Sequence, residues 1–189
     1  MKTEVAGARS NGVNGWRVAG WGIAGLLWLL PLAAMQVTTE VNWTVADFVF
    51  AAILIGGVGL MLELAFRRTR SAAYRGGVVV LAAASFLLVW INAAVGIIGD
   101  ERNPLNLLYA GVVAIALFGG ALARFRPRGM ARATASAALA QTAMGVVAVV
   151  AGHNEPPGAT GLLLLNGGFV ALFAGSAWLF AAAADAATR

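Results

Sequence analysis

The sequence predicts an all-α integral membrane bundle of six transmembrane helices with both termini on the cytoplasmic side. Three observations carry this. Of 189 residues, 60% are hydrophobic and 11% charged, with a mean hydropathy of +0.82, against about 25% charged in an average soluble domain. The charges are spaced so that uncharged runs of 21 to 29 residues separate them, and about 20 apolar residues span a bilayer as a helix. The basic residues then alternate between successive connections, as the positive-inside rule requires.

The runs give the elements in order. Twenty-two uncharged residues lie between Arg17 and Glu40, 24 between Arg75 and Asp100, 21 between Arg102 and Arg124, 22 between Arg132 and Glu155, and 29 between Glu155 and Asp185. A further run of 26 between Glu40 and Arg67 holds two acids, Asp47 and Glu63, near its ends. The expected spans are 18–37, 44–66, 72–98, 104–123, 130–151 and 160–183. The short connections make neighbours antiparallel. The domain organisation is a cytoplasmic tail (1–16), a six-helix membrane domain (17–184) and a short cytoplasmic tail (185–189). Basic residues also precede the first span, as in a secretory leader, but its apolar part is long enough to cross, and it is expected to be retained.

Charge supports the count. Twelve of the 13 Lys and Arg residues fall in the terminal tails or the even-numbered connections, and Arg102 is the exception. Taking Glu4, Glu63 and Asp185 as inner, the inner face carries about +9. The outer face, with Glu40, Asp47, Asp100, Glu101 and Glu155, carries −4. The high pI of about 11.1 therefore reports orientation and attraction to anionic headgroups, not a nucleic-acid partner. One lysine against twelve arginines, with abundant Ala and Gly, suggests GC-rich coding and hence a bacterial inner membrane.

Helix ends follow local rules. Thr44 and Asp47 have capping-box spacing. Pro104 suits the first turn of the fourth helix, with Asn103 before it as cap. Pro156-Pro157-Gly158 stiffens the last outer turn. Trp16, Trp21 and Tyr74 suit the inner interface and Trp43 the outer one. Twenty-four glycines, with clusters at 56–59, 119–120 and 167–168, point to close helix packing or to hinges of the transporter kind. The connections 99–104 and 152–157 look alike, which hints at a two-helix repeat.

Polar residues inside spans are costly and so informative. Asn92, Asn106 and Asn166 lie in the outer halves of the third, fourth and sixth spans. Gln36 marks an outer end, and Gln141 and Ser85 lie nearer the midplane. One arrangement is ordinary interhelical hydrogen bonding. The sharper one is an outward-facing polar pocket lined by Asn92, Asn106 and Asn166, with Asn103, and rimmed by Asp47, Asp100, Glu101 and Glu155. Glu63 precedes Arg67 by four residues, the favourable order for a helical ion pair; a proton or ion relay is the alternative.

Several chemistries lack their residues. There is no cysteine, hence no thiolate or Cys-ligated metal. His153 is the only histidine; with Glu155 it makes at most a weak metal pair, and a solvated turn is expected instead. No nucleophile elbow, metalloprotease motif or phosphate loop occurs. No enzyme activity, cofactor or metal is expected.

The stretch Trp90-Ile91-Asn92-Ala93-Ala94-Val95-Gly96-Ile97-Ile98-Gly99-Asp100-Glu101-Arg102-Asn103-Pro104-Leu105-Asn106 resembles a motif of small bacterial multi-pass inner-membrane proteins. Asp47-Phe48-Val49-Phe50 after Trp43, and Arg124-Phe125-Arg126-Pro127-Arg128-Gly129, are similar to the same group. The resemblance covers most of the chain. It implies an integral membrane protein and carries over no activity and no catalytic residue. The expected function is binding, sensory or accessory, with the lipid bilayer and a second copy or another membrane protein as partners. The alternative is a small transporter or channel for a small solute, a cation or protons. The sparse polarity of the inner half favours the former.

Overall fold

The computed structural model describes residues 15–154 and 156–188. Its α-helices are α1 (Gly15–Ala34), α2 (Val45–Arg68), α3 (Ala72–Ala94), α4 (Leu108–Leu122), α5 (Pro127–Gly152) and α6 (Gly158–Ala186), with a 3-10 turn at Pro104–Leu107 leading into α4. No strand occurs among the described residues. Six helical segments are long and apolar enough to cross a membrane, the fourth being the 3-10 turn plus α4, Pro104–Leu122. Glu4 and Lys2, Arg9, Glu155 and Arg189 lie outside the described residues, as does the side chain of Trp16.

The chain falls into two compact units, one ending at Gly59 and the other beginning at Leu60. In the first, α2 starts with the anticipated capping box. Thr44 N and Oγ1 both donate to Asp47 Oδ2, at 2.7 and 2.8 Å. Trp28 Nε1 donates to Phe48 O at 2.8 Å, and the rings of Trp28 and Trp43 both meet Phe48 edge-on. Gly59 is the close-approach point: a Cβ there would lie 3.0 Å from the Trp21 ring. The outward surface is apolar, with Leu26 70% and Ile53 71% exposed, as suits a surface solvated by lipid.

In the second unit α5 packs on both α4 and α6, and α3 packs mainly on α6. Small residues set these contacts. A Cβ on Gly119 would come within 2.8 Å of Ala133 Cβ, joining α4 to α5. Gly77 of α3 faces Phe180 of α6 in the same way, at 3.0 Å, and Ser176 Oγ donates to Gly77 O at 2.9 Å. Without a hydrophobic drive between helices in lipid, such backbone approach supplies the van der Waals contact that holds them. Leu81, Ala84, Leu88, Phe173 and Phe180 fill the interior.

The first helix runs Gly15–Ala34 against the anticipated 18–37 and the sixth Gly158–Ala186 against 160–183, and three further ends depart for a local reason. The third helix stops at Ala94, not 98, because Gly96 turns into the left-handed region at φ 73° and the Asn106 amide captures the backbone of Ile97 and Ile98. The fourth begins as a 3-10 turn, with Asn103 Oδ1 accepting from Leu105 N at 3.0 Å. The fifth begins at Pro127, not 130, because proline suits a first helical position where no amide hydrogen is required.

Gly96 is irreplaceable on two counts. A side chain disfavours its φ, and a Cβ would collide with the Asp100 carbonyl and lie 2.8 Å from Asn106 Nδ2. Gly96→Ala is expected to cost about 1–3 kcal/mol of backbone strain, read as a lower denaturation midpoint of the purified protein in micelles. Wild-type stability in that variant would remove this account of the α3 terminus.

Candidate functional site

A buried layer of uncharged polar side chains crosses the second unit. Tyr109 comes from α4, Gln141 from α5 and Asn166 from α6, and they are 1%, 0% and 2% exposed. Tyr109 Oη and Gln141 Nε2 both donate to Asn166 Oδ1, each at 2.9 Å. Asn166 Nδ2 donates to Leu162 O at 2.9 Å, one turn back along its own helix. Asn166 Oδ1 thus uses both lone pairs and ties three helices at one atom. The helices come close enough because Gly145 lies opposite Asn166, where a Cβ would be 3.2 Å from Asn166 Cβ.

Helix α3 adds Ser85 and Asn92, seven residues apart and so on one face. Asn92 Nδ2 donates to Leu88 O at 2.7 Å. Three buried oxygens in this region have no partner among the described residues: Ser85 Oγ, Asn92 Oδ1 and Gln141 Oε1. Their depths follow from the contacts. Ser176 meets Gly77 and Gly145 meets Asn166. Counting about 1.5 Å per residue from these points places Gln141, Ser85, Asn166 and Asn92 within roughly 13 Å of depth. The layer occupies the half of the unit beneath the connections 95–103 and 153–157. Each orphaned oxygen costs about 1–3 kcal/mol unless something outside the chain supplies a hydrogen.

The other anticipated site residues serve local structure. Asn106, 6% exposed, closes the connection 95–103. Its Oδ1 accepts from Ile97 N and Ile98 N at 3.1 and 2.9 Å, and its Nδ2 donates to Ile98 O and Asp100 O at 3.2 and 2.7 Å. All its capacity is spent on backbone, so it has none left for a ligand. Asn103 caps the 3-10 turn. Asp100 is exposed and its Oδ1 accepts from Arg102 N at 2.9 Å. Exposed Glu101 lies 3.8 Å from Arg102 Nε. Asp47 belongs to the capping box of the first unit. Glu63 and Arg67 form the expected i,i+4 ion pair, worth about 0–1 kcal/mol because Arg67 is largely exposed.

Of the anticipated pocket, Asn166 stands in the buried layer and half-buried Asn92 bonds along its own helix above it, while Asn106, Asn103, Asp100, Glu101 and Asp47 are bonded elsewhere. Tyr109 is the member that sequence reasoning missed. Its available signal was spacing: it follows Asn106 by three residues, a polar ring beginning an otherwise apolar helix. His153 is exposed, with Nδ1 3.2 Å from Val150 O. Among the described residues no group of three or more His, Asp or Glu is placed to hold a metal ion.

The chain matches no protein-family model, no curated protein and no solved structure.

Proposed function

We propose that this chain is a multi-pass protein of a bacterial inner membrane, with both termini cytoplasmic, that binds a small uncharged hydrogen-bond donor in the polar layer of its second unit. It acts as a binding, sensory or accessory protein and carries out no catalysis. The observation that carries the proposal is Gln141, fully buried with Oε1 unpartnered beside a saturated Asn166. The amide oxygens of Gln141 and Asn92 call for donors, and the Ser85 hydroxyl for a donor or an acceptor. None of Ser85, Asn92, Tyr109, Gln141 and Asn166 carries a formal charge, so a cation entering there has no carboxylate to offset its lost hydration. A neutral ligand such as a small amide or alcohol avoids that cost.

Transport needs polar groups on the far side of the layer. There the buried hydroxyls of Thr134 and Ser176 are already bonded to Met130 O and Gly77 O, and Phe173, Phe180 and Met130 are buried as well. Engaged hydroxyls and buried apolar side chains on that side favour binding over passage.

The test is titration of the wild-type protein in lipid nanodiscs with formamide and with glycerol, following the side-chain amide resonances of Gln141 and Asn166. Saturable shifts with at least one probe, absent in Gln141→Leu, are expected, with no flux of either probe in proteoliposomes above protein-free vesicles. Shifts that stay linear and persist in the variant would discard the binding site, and protein-dependent flux would move the reading to a transporter. Orientation is read separately: reporter fusions after residues 70 and 128 should report cytoplasm, and those after 102 and 157 periplasm.

A further inference from the structure

We propose that the arginine-bearing end of the second unit is a binding surface for the phosphate of an anionic phospholipid. Two connections meet there, 69–71 between α2 and α3 and 123–126 between α4 and α5. Tyr74, in the first turn of α3 with its N bonded to Ser71 Oγ, donates from Oη to Phe125 O at 2.7 Å and so ties the start of α3 to the second connection.

Each connection has a defined shape. Arg75 turns inward onto the first, donating from Nε to Thr69 O and from Nη2 to Phe66 O, both at 2.9 Å, with its guanidinium 4.8 Å over the Phe66 ring. In the second, Arg124 and Phe125 both hold positive φ, 53° and 57°, a conformation that L side chains adopt at a cost. The turn is closed by Arg124 N to Ala121 O at 2.8 Å and Phe125 N to Gly120 O at 2.9 Å.

Once Arg75 is spent on backbone and Arg67 on Glu63, six arginines remain: Arg68, Arg70, Arg124, Arg126, Arg128 and Arg132. All are exposed, and among the described residues their guanidinium groups have no hydrogen bond or ion pair. Among the described residues of this unit the acidic side chains at this end are Glu63, already paired, and exposed Asp185 near the end of α6. So dense an excess of guanidinium is complementary to phosphate oxygens, which it binds in a bidentate manner.

Position selects a lipid over a soluble phosphate. The arginines terminate helices of membrane-crossing length, at the level where headgroups lie. An exposed apolar strip leads away from them along α4, with Phe125 51%, Leu122 87% and Phe118 70% exposed. Phe118 and Leu122 are four residues apart and share one helix face. Phosphate on Arg124, Arg126 and Arg128, with acyl chain along Leu122 and Phe118, uses both halves of one phospholipid. The positive-inside rule alone needs scattered charge and accounts for neither the tie through Tyr74 nor the adjoining apolar strip.

The test is native mass spectrometry of the full-length protein released from nanodiscs of phosphatidylcholine containing phosphatidylglycerol. Wild type should retain phosphatidylglycerol in preference to phosphatidylcholine. The triple variant Arg124→Gln/Arg126→Gln/Arg128→Gln should lose that retention at least tenfold. Two further variants decide the matter should the glutamine triple fail to fold. The triple Arg→Lys variant keeps every charge and should lose retention several-fold, because lysine lacks the bidentate fork. Tyr74→Phe keeps every charge too, but unties the start of α3 from the second connection, and should also weaken it several-fold. Equal retention of the two lipids by wild type, or retention unchanged in both charge-preserving variants, would overturn the proposal. Displacement of the lipid by glycerol phosphate at equal concentration would overturn the lipid as the source of the phosphate.

Discussion

Asn106→Ala is expected to destabilise the second unit by about 3 kcal/mol, the cost of orphaning buried backbone groups, and thus to give one of the largest losses of any single substitution in the chain. The reason lies in the number of partners. Four backbone groups depend on this side chain: Ile97 N, Ile98 N, Ile98 O and Asp100 O. Ile97 and Ile98 are 2% and 0% exposed, so water is not at hand to replace the amide. Asn106→Asp separates the two halves of the effect. It keeps the acceptor for the two amide hydrogens but turns an anion towards two carbonyls, and it is expected to cost as much as alanine. Unfolding by denaturant in micelles reads both. An Asn106→Ala variant within 0.5 kcal/mol of wild type, the ordinary range for a surface change, would show that the connection 95–103 is held by something else.

Much of the architecture was legible because lipid imposes a simple rule: a crossing helix needs an uncharged run, and the runs in this chain are bounded by arginines and acids that are easy to count. The capping box at Thr44 and Asp47, the cap at Asn103 and the Glu63–Arg67 pair were legible because each depends on residues at most four apart. What misled was reading depth as function. Asn106 lies in an apolar run and so resembled a pocket residue, yet its partners lie six to nine residues back, in a turn where Gly96 takes a positive φ. Tyr109 was missed for the opposite reason. Its partner Asn166 is 57 residues away, and only the packing of α4, α5 and α6 around Gly145 brings the two together. Local chemistry survives as pattern in the sequence, whereas a contact across helices leaves none.

The same layer yields two substitutions expected to differ sharply in cost. Asn166→Ala removes the acceptor shared by Tyr109 Oη and Gln141 Nε2 and leaves both donors buried. Interhelical hydrogen bonds in membranes average about 0.6 kcal/mol each, but orphaned groups and a vacated volume add to that, and a loss of about 2–3 kcal/mol is expected. Gln141→Leu behaves differently. It is close to volume-conserving, it leaves Asn166 Oδ1 bonded to Tyr109, and it removes the unpartnered Oε1. Replacing a half-satisfied buried polar group by an apolar one of similar size is often neutral or stabilising. Stability within about 1 kcal/mol of wild type, or above it, is therefore expected. The contrast separates architecture from function in adjacent residues: Asn166 holds three helices together, while Gln141 keeps an oxygen that the fold does not use. A Gln141→Leu loss as large as that of Asn166→Ala would mean that Oε1 already has a partner in the folded protein, and that the layer is a packing device with no place for a ligand.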